Sequence, residues 1–375
     1  MELVETLNGG AEIVAELCAE WITLCEEGAS NHPFLRPEWF LSFVANFEKE
    51  ILLLTVRRAG LLCAILPLVQ KRAGLHGIPV SKLQSVFNLN TQRFDLVHGT
   101  DESERKVVVQ ALWDEIKRQS KWKVLEIRMV DKNSWLNDLL IIAGSENYPT
   151  GIWRMENAPF IKLPQAVNET DSCEEYFKSL GKKRRQDLSR RLRRLREIGS
   201  VEFAVTRGYS AELMRKYFDL EAKGWKGRAG TAVADDDSVV KLHDDFARAT
   251  AEKNALFVYE LKLNDQTIAM QLRIVYNRQT TCWKTAYDEN YARFSPGNLL
   301  FAEFVRDSLK NHSQEVDLLS PPSASKGIWA SGERELVGFY IFQRGIIGWL
   351  LWKWKFSVIS RLRKFKNKTP LKTAE

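Results

Sequence analysis

The chain has 375 residues, more than one average core accommodates, so two domains are expected. Its 55 basic and 48 acidic residues leave a net charge of +7, an excess that is concentrated rather than spread. The five cysteines, Cys18, Cys25, Cys63, Cys173 and Cys282, are odd in number and form no Cys-x-x-Cys pair, which argues against a disulfide framework or a cysteine zinc site and for a reducing compartment.

The first residues, Met1 to Glu5, are acidic and do not read as a signal peptide. No run of about 18 uncharged apolar residues predicts a spanning helix, so a cytoplasmic protein is expected. Helical spacing of Ile13, Leu17, Trp21 and Leu24 predicts a helix over 11–26. A second starts at Pro37 and carries Trp39, Phe40, Phe43, Val44 and Phe47. Strands are expected over 51–57 and 61–70, joined at Arg58-Ala59-Gly60, and again over 82–87. An acid-capped helix (101–119), a strand (123–129), a helix (134–143) and a strand (152–156) follow. The second half is predicted to repeat the series. Helices over 210–223 and 237–253 precede a hairpin, 255–261 with 266–276, turned at Leu263-Asn264-Asp265. A strand (280–286), a helix (296–311) and strands over 315–319 and 335–342 complete it. The expected class is α/β, a mixed sheet with helices on both faces, in two tandem domains: 1–165, then a basic connector 166–200, a second domain 201–345, and a tail 346–375.

Residues 178–196, KSLGKKRRQDLSRRLRRLR, form the most biased segment. Leu188, Leu192 and Leu195 make a narrow apolar stripe on a basic helix. It reads either as a solvated helix laid over the domain junction, or as a contact for an anion such as coenzyme A phosphates, an anionic glycan, lipid headgroups or RNA.

The best functional candidate is 287–300, YDENYARFSPGNLL. A strand ends, a loop with Pro and Gly follows, and a helix begins whose first turn holds no acid before Glu303. Its backbone N–H groups suit a pyrophosphate. Arg293, Ser295, Gly297, Asn298 and Leu299 are the expected cofactor-binding residues, with Gly297 admitting close approach and Arg293 adding a forked contact. An ordinary Pro-started helix capped by Ser295 is the alternative. The corresponding helix of the first half begins Asp101-Glu102-Ser103-Glu104, which repels phosphate, so an anion site is expected in the second half alone.

Residues 221–233, EAKGWKGRAGTAV, space Gly224, Gly227 and Gly230 by three around Trp225, Lys226 and Arg228. This is neither a Walker loop nor a dinucleotide fingerprint. It reads as a mobile basic loop beside a site or as a plain helix end. Trp225, Lys226, Arg228 and Trp283 are the expected substrate-binding residues. Asp317, Tyr287 and Asp288, each at a strand end, are the candidate acid–base groups, and burial would raise Asp317. His243 with its neighbouring aspartates matches no metal motif, so no metal is expected. The tail, 346–368, reads either as an interfacial amphipathic helix touching a membrane, the inner face if the protein is cytoplasmic, or as a C-terminal helix packed on the last strand.

With these residues in place, the chain resembles the GNAT-superfamily acetyltransferases of the cellulose-biosynthesis, CelD-like type. The resemblance covers most of the chain. It is carried by Asn31-His32-Pro33-Phe34-Leu35 leading to Trp39, by the basic run 182–196, by Trp225-Lys226-Gly227-Arg228-Ala229-Gly230-Thr231, and by Ser295-Pro296-Gly297 with Asp317-Leu318-Leu319. It implies a tandem arrangement similar to that of Fem-type aminoacyl ligases, acetyl-CoA as co-substrate and a link to exopolysaccharide synthesis. The sequence departs from the family's phosphate pattern: Pro296 stands where its first Gly belongs and removes a backbone donor, and Asn298 stands at its last position.

The function expected from these features is acyl-CoA-dependent acylation of an amino or hydroxyl group on a sugar, lipid-linked sugar or other small metabolite. Attack is direct, with the thioester against the strand at 280–286. Two alternatives stay open. One is a Fem-type ligase whose basic helix holds tRNA, against which stands the lack of a long heptad-patterned arm. The other is a degenerate acyltransferase fold serving as a membrane-associated partner in polysaccharide assembly.

Overall fold

The computed structural model describes residues 2–28, 31–99, 101–119, 121–165 and 169–359. In chain order its first elements are β1 (Glu2–Gly9), α1 (Ala11–Glu27), α2 (Pro37–Asn46), β2 (Ile51–Arg58), β3 (Leu61–Leu75), β4 (Ile78–Ser85), β5 (Val97–His98), α3 (Arg105–Arg118), β6 (Val124–Asp131), α4 (Asp138–Ser145), β7 (Thr150–Arg154) and β8 (Ala158–Lys162). There follow α5 (Glu169–Ser179), α6 (Lys182–Arg196), β9 (Val201–Arg207), α7 (Ala211–Lys223), α8 (Trp225–Arg228), α9 (Asp237–Glu252), β10 (Leu256–Leu263), β11 (Gln266–Tyr276) and β12 (Gln279–Tyr287). The last are α10 (Pro296–Lys310), β13 (Glu315–Asp317), α11 (Ala324–Gly327), β14 (Gly332–Arg334), β15 (Leu336–Phe342) and α12 (Ile346–Lys353).

Local chemistry explains the well-read elements. The stripe Ile13, Leu17, Trp21 and Leu24 is buried along α1, and Gly28 closes it by donating to the Leu24 carbonyl. Ala59 and Gly60 have φ of 50° and 83°, and Asn264 and Asp265 have 48° and 65°. Consecutive left-handed residues are what a two-residue hairpin requires. The helix expected over 178–196 is two helices, broken at Gly181 with φ 79°.

Two compact units emerge, each with its own sheet. Unit 1 comprises the described parts of 1–30, 50–155 and 335–375; unit 2 comprises Asn31–Lys49 and Glu156–Arg334. The first sheet runs β1-β2-β3-β4-β6-β15-β7, with β5 beside β3, and the second runs β9-β10-β11-β12-β13-β8-β14. Position by position they match. Four antiparallel strands lead to one parallel pair, β4 with β6 or β12 with β13, each reached through a crossover helix, α3 or α10. Two antiparallel strands close each sheet. The tandem α/β architecture expected from the sequence is therefore the one observed.

The expected boundaries are corrected, because the units are not contiguous halves. The sixth place of the first sheet is filled by β15, from the chain's last strand, and that of the second by β8, from before residue 165. Side chains explain why β15 belongs where it does. Tyr340 donates to Glu126 Oε1 at 2.7 Å, and Glu126 also holds Lys82 at 2.6 Å, so one buried network spans β4, β6 and β15. Burial pushes Glu126 up, but Arg128 and Lys82 bring it net below the usual carboxylate value. Residues 31–49, expected in the first domain, belong to unit 2. There Trp39 packs edge-on to Phe246 of α9 (5.1 Å) and to Phe34 (4.6 Å), while buried Arg36 lies 4.0 Å over Tyr276. The basic segment 182–196 is part of unit 2 as well, with Leu195 buried and Leu188 and Leu192 half-buried against its core.

A fragment of residues 1–165 lacks β15 and leaves facing edges on β6 and β7. Expressed alone, it is expected to show no cooperative thermal transition. A sharp transition with dispersed amide resonances would contradict the strand exchange.

Candidate functional site

Unit 2 contains a wedge between its two parallel strands. β12 and β13 pair at only three positions, ending at Thr281 with Asp317. β13 stops there, so residues 282–287 of β12 run past the end of their neighbour. The chain is turned away by Leu319, which has φ 59° and donates its N–H to Asp317 Oδ1 at 2.7 Å. Lys326 Nζ then holds the Leu319 and Pro321 carbonyls at 2.9 and 2.8 Å. β12 also carries a bulge: Leu272 faces Lys284 and Arg273 faces Cys282, leaving Trp283 extra. A bulge re-aims side chains. Here Trp283 stacks on His243 of α9 and Lys284 lies by Glu221 of α7, while Cys282 turns to the α10 face beside Arg273.

On the α10 face lies a cleft of about 1210 Å³. One wall is α6, whose Lys182, Lys183, Arg185 and Arg191 line it; Ser295 and Asn298 of the α10 start and Trp329 complete it. α6 grips both sides. Arg191 Nη1 donates to Ser295 Oγ at 2.9 Å and to the Arg293 carbonyl at 2.7 Å, and Arg184 donates to the Ile328 carbonyl at 2.6 Å. The α10 entry is further held from the core, where buried Arg273 donates to Gln271 and Gln271 Nε2 donates to the Gly297 carbonyl at 3.1 Å. The Arg273 guanidinium sits 4.2 Å over Phe304, and burial pulls its pKa down. Burial pushes the adjacent Cys282 thiol up to about 11, which makes it a poor nucleophile.

The opposite face is built on Glu221, which is buried and accepts from Tyr217 Oη (2.9 Å), Lys226 Nζ (2.5 Å) and the Val233 N–H (2.8 Å). Burial pushes this carboxyl up, but Lys226 and Lys284, with these bonds, bring it net below the usual range. With three donors, Glu221 is a fixed anion rather than a proton acceptor. Lys284 is different. Burial lowers it to about 8, with Glu221 opposing the shift and Lys226 adding to it. Burial, with Lys284 and Lys226 nearby, also holds His243 well below its ordinary value, so its ring is neutral.

The residues singled out from sequence fall as follows. Asp317 is buried; besides closing the Leu319 turn, its Oδ2 faces His32 Nε2 at 3.6 Å and Arg334 Nη1 at 3.8 Å. His32 Nδ1 accepts the Phe34 N–H, which puts the ring proton on Nε2, toward Asp317. Asp288 caps the turn before α10 by accepting from the Asn290 N–H at 2.9 Å. Tyr287 packs against the α10 face, where a Cβ on Gly297 would meet its ring at 3.7 Å, ordinary contact. Ser295 is the N-cap in a left-handed conformation, but its hydroxyl serves Arg191. The Asn298 and Leu299 N–H groups both point at the Ser295 carbonyl (2.9 and 3.1 Å), so of the expected amide donors only that of Gly297 is not directed there. Asn298 Oδ1 accepts from Trp329 Nε1 at 3.0 Å, Leu299 is core, and Arg293 is exposed. Trp225 is exposed, with its N–H on Glu289, which also holds Arg228 at 2.7 Å. Trp283 is buried in the α9 packing. The glycine segment is no free loop: Glu221 and Glu289 tie it down, and a Cβ at Gly227 would lie 1.8 Å from the Ala222 carbonyl. Sequence reasoning missed Glu221, Lys284, Arg273 and Gln271. Lys284, a lone lysine in a strand of otherwise neutral residues, was the one visible signal. Among the described residues no group of three or more His, Cys, Asp or Glu side chains is placed to hold a metal ion.

Residues 182–326, which span the cleft, the wedge and the Glu221–Lys284 cluster, match the family model described as an acetyltransferase (GNAT) domain. Unit 2 thus carries a stretch that matches a GNAT acetyltransferase domain. Among solved structures, FemX is similar with a TM-score of 0.61 at 11% identity, over 90% of this chain and 97% of FemX. The C-terminal domain of a putative lysylphosphatidylglycerol synthetase from Agrobacterium fabrum gives a TM-score of 0.53 at 11% identity, over 94% and 96% of the two chains. A conserved protein of unknown function from Bacteroides thetaiotaomicron gives 0.53 at 10% identity, over 91% and 100%. At such identities the likeness is one of fold. A comparison with curated protein sequences finds no match.

Asp317→Ala removes the acceptor of the buried Leu319 N–H and is expected to cost about 1–3 kcal/mol in denaturant unfolding. Asp317→Asn keeps an oxygen for that N–H and should retain most of the stability. If both variants unfold like the parent, Asp317 does not hold the turn.

Proposed function

We propose that unit 2 transfers an acyl group, acetyl in the simplest case, from acyl-CoA to an amino or hydroxyl group on a sugar, lipid-linked sugar or small metabolite. On this reading the chain is a CelD-like member of the GNAT superfamily, cytoplasmic and working in exopolysaccharide synthesis. The observation that carries the reading is the wedge between β12 and β13, with a cation-lined cleft on one side and a lysine of lowered pKa on the other.

The donor side fits a diphosphate-bearing molecule. The cleft is roomy and lined by cations, and the α10 start carries no acid in its first turn. With Pro296 lacking an N–H and two amides turned inward, α6 side chains take over much of the phosphate binding that a helix N-terminus would supply. When bound, acyl-CoA supplies an activated thioester. The backbone of residues 282–287, past the end of β13, is available to hydrogen-bond and polarise the thioester carbonyl. Lys284, as the neutral amine, takes the proton from the nitrogen or oxygen that bonds to the acyl carbon; the C–S bond breaks, coenzyme A leaves as the thiolate and is protonated from solvent, and Glu221 keeps the Lys284 pKa from falling further.

A second reading, an aminoacyl-tRNA-dependent ligase, is favoured by one observation: nine of the fifteen residues of α6 are Lys or Arg, more than a pyrophosphate needs. Steeply salt-dependent binding of tRNA, without acetyl-CoA turnover, would select it.

The test is turnover of labelled acetyl-CoA with a metabolite extract, followed across pH. Only neutral Lys284 accepts a proton, so the rate should rise as pH passes upward through about 8. Lys284→Gln should lose roughly 10²–10⁴-fold in kcat and with it this limb. Lys226→Met removes a cation that lowers Lys284 and frees Glu221 to raise it, so the limb should move to higher pH. An unchanged limb in Lys284→Gln would assign the proton transfer elsewhere.

A further inference from the structure

In unit 1, α12 packs on the first sheet through one face only. Leu351 is buried with Tyr340 and Phe342, Trp352 Nε1 donates to the Thr150 carbonyl at 2.7 Å, and Phe356 of the following π-helical turn lies edge-on to Tyr340 at 5.9 Å. A Cβ at Gly348 would meet the Gln343 carbonyl at 1.7 Å, so the helix sits tight against the chain that leads into it. The other face is bare. Ile346 is 80% exposed, Ile347 61%, Leu350 53% and Trp349 47%. At about 100° per residue these four share an arc of about 160°. A single exposed apolar side chain needs no explanation, but four on one face of an eight-residue helix form a patch.

The charge of the sequence that carries the patch says what covers it. No Asp or Glu occurs between Glu335 and Glu375, while that stretch holds nine Lys or Arg, more than the whole chain's net charge of +7. Five of the nine fall in residues 361–368, just beyond the helix in sequence. Lys353 lies over the Trp349 ring at 4.7 Å, a cation beside the apolar face. A second copy of this chain would bring cations against cations. The helix is also too short to span a bilayer, and no helix among the described residues is long and apolar enough to do so.

We propose that α12 seats the protein on an anionic membrane surface. Ile346, Ile347, Trp349 and Leu350 enter the headgroup boundary, where an indole is well placed with one wet and one apolar edge. The excess of cations over 336–374 favours anionic headgroups. This surface lies in unit 1 and is independent of the acyl-transfer reading.

The experiment is flotation of the full chain with vesicles of phosphatidylcholine alone or with roughly one phosphatidylglycerol in four. Trp fluorescence and size-exclusion chromatography are followed in parallel. Binding is expected on the anionic vesicles, with a blue shift in emission, and on the order of 100-fold weaker on neutral ones. Raising salt from about 0.1 M to about 0.5 M should weaken it strongly. The triple variant Ile346→Ser, Ile347→Ser, Leu350→Ser changes only exposed side chains and should keep the parent's unfolding curve while losing the vesicles. Replacing the five cations of 361–368 by Gln should reduce binding to the neutral-vesicle level. The proposal is overturned by failure to float with either vesicle, by equal binding to both, or by parental binding of the triple variant. It is equally overturned by a dimer of the parent that the triple variant abolishes, which would assign the face to a second copy.

Discussion

Unit 2 depends on where one short strand ends. β13 is three residues long, and Asp317, its last residue, accepts the N–H of Leu319 two positions on. That bond holds Leu319 in a left-handed turn and takes the chain off the sheet. Had β13 continued, it would have paired with β12 along 282–287, and the backbone polar groups of that edge would be consumed in the ladder. Because it stops, the edge stays open, with the cation-lined cleft on the α10 side and Lys284 on the other. The carboxylate that reads from sequence as an acid–base group also has a structural part, because it holds the turn that leaves this edge open.

The two units show how a single architecture diverges by charge. Both sheets lead through a crossover helix from the fourth strand to a parallel fifth. In unit 1 that helix is preceded by Asp101, Glu102 and Glu104; Asp101 caps the turn by accepting from the Ser103 N–H, and Glu104 pairs with Arg58. One N–H of the turn before that helix is met there by the protein's own carboxylate. In unit 2 the start of α10 has no such acid, and α6 brings arginines to it instead. The helix start is flanked by acids in one unit and by none in the other.

The sequence made local features legible. The buried stripe of α1, the hairpins at Ala59-Gly60 and Asn264-Asp265, the Pro296 helix start and the leucine stripe of α6 all follow from spacing or turn chemistry within a few residues. Features that need a distant partner were not legible. β8 and β15 look like ordinary short strands, and nothing within them says that each fills the sixth place of the other half's sheet. The glycines of 224–230 suggest mobility until Glu221 and Glu289 are seen holding their neighbours. Lys284 and Arg273 gain their character from burial, and the bulge at Trp283 that decides which face Lys284 joins has no signature in a single strand. Of the candidate site, the α10 start and the basic run of α6 beside it were readable because they are a helix start and a charge run. The Glu221–Lys284 cluster was not, because it is assembled from separate elements.

Amide hydrogen exchange with and without acetyl-CoA tests most directly whether acyl donor binds unit 2 at the α6–α10 cleft and along the open edge of β12. Slowed exchange is expected in three segments of unit 2, namely α6, the amides of 297–299 and those of 282–287, with no change over 101–105 of unit 1. Protection confined to unit 1, or none in 282–287 at saturating acetyl-CoA, would contradict it.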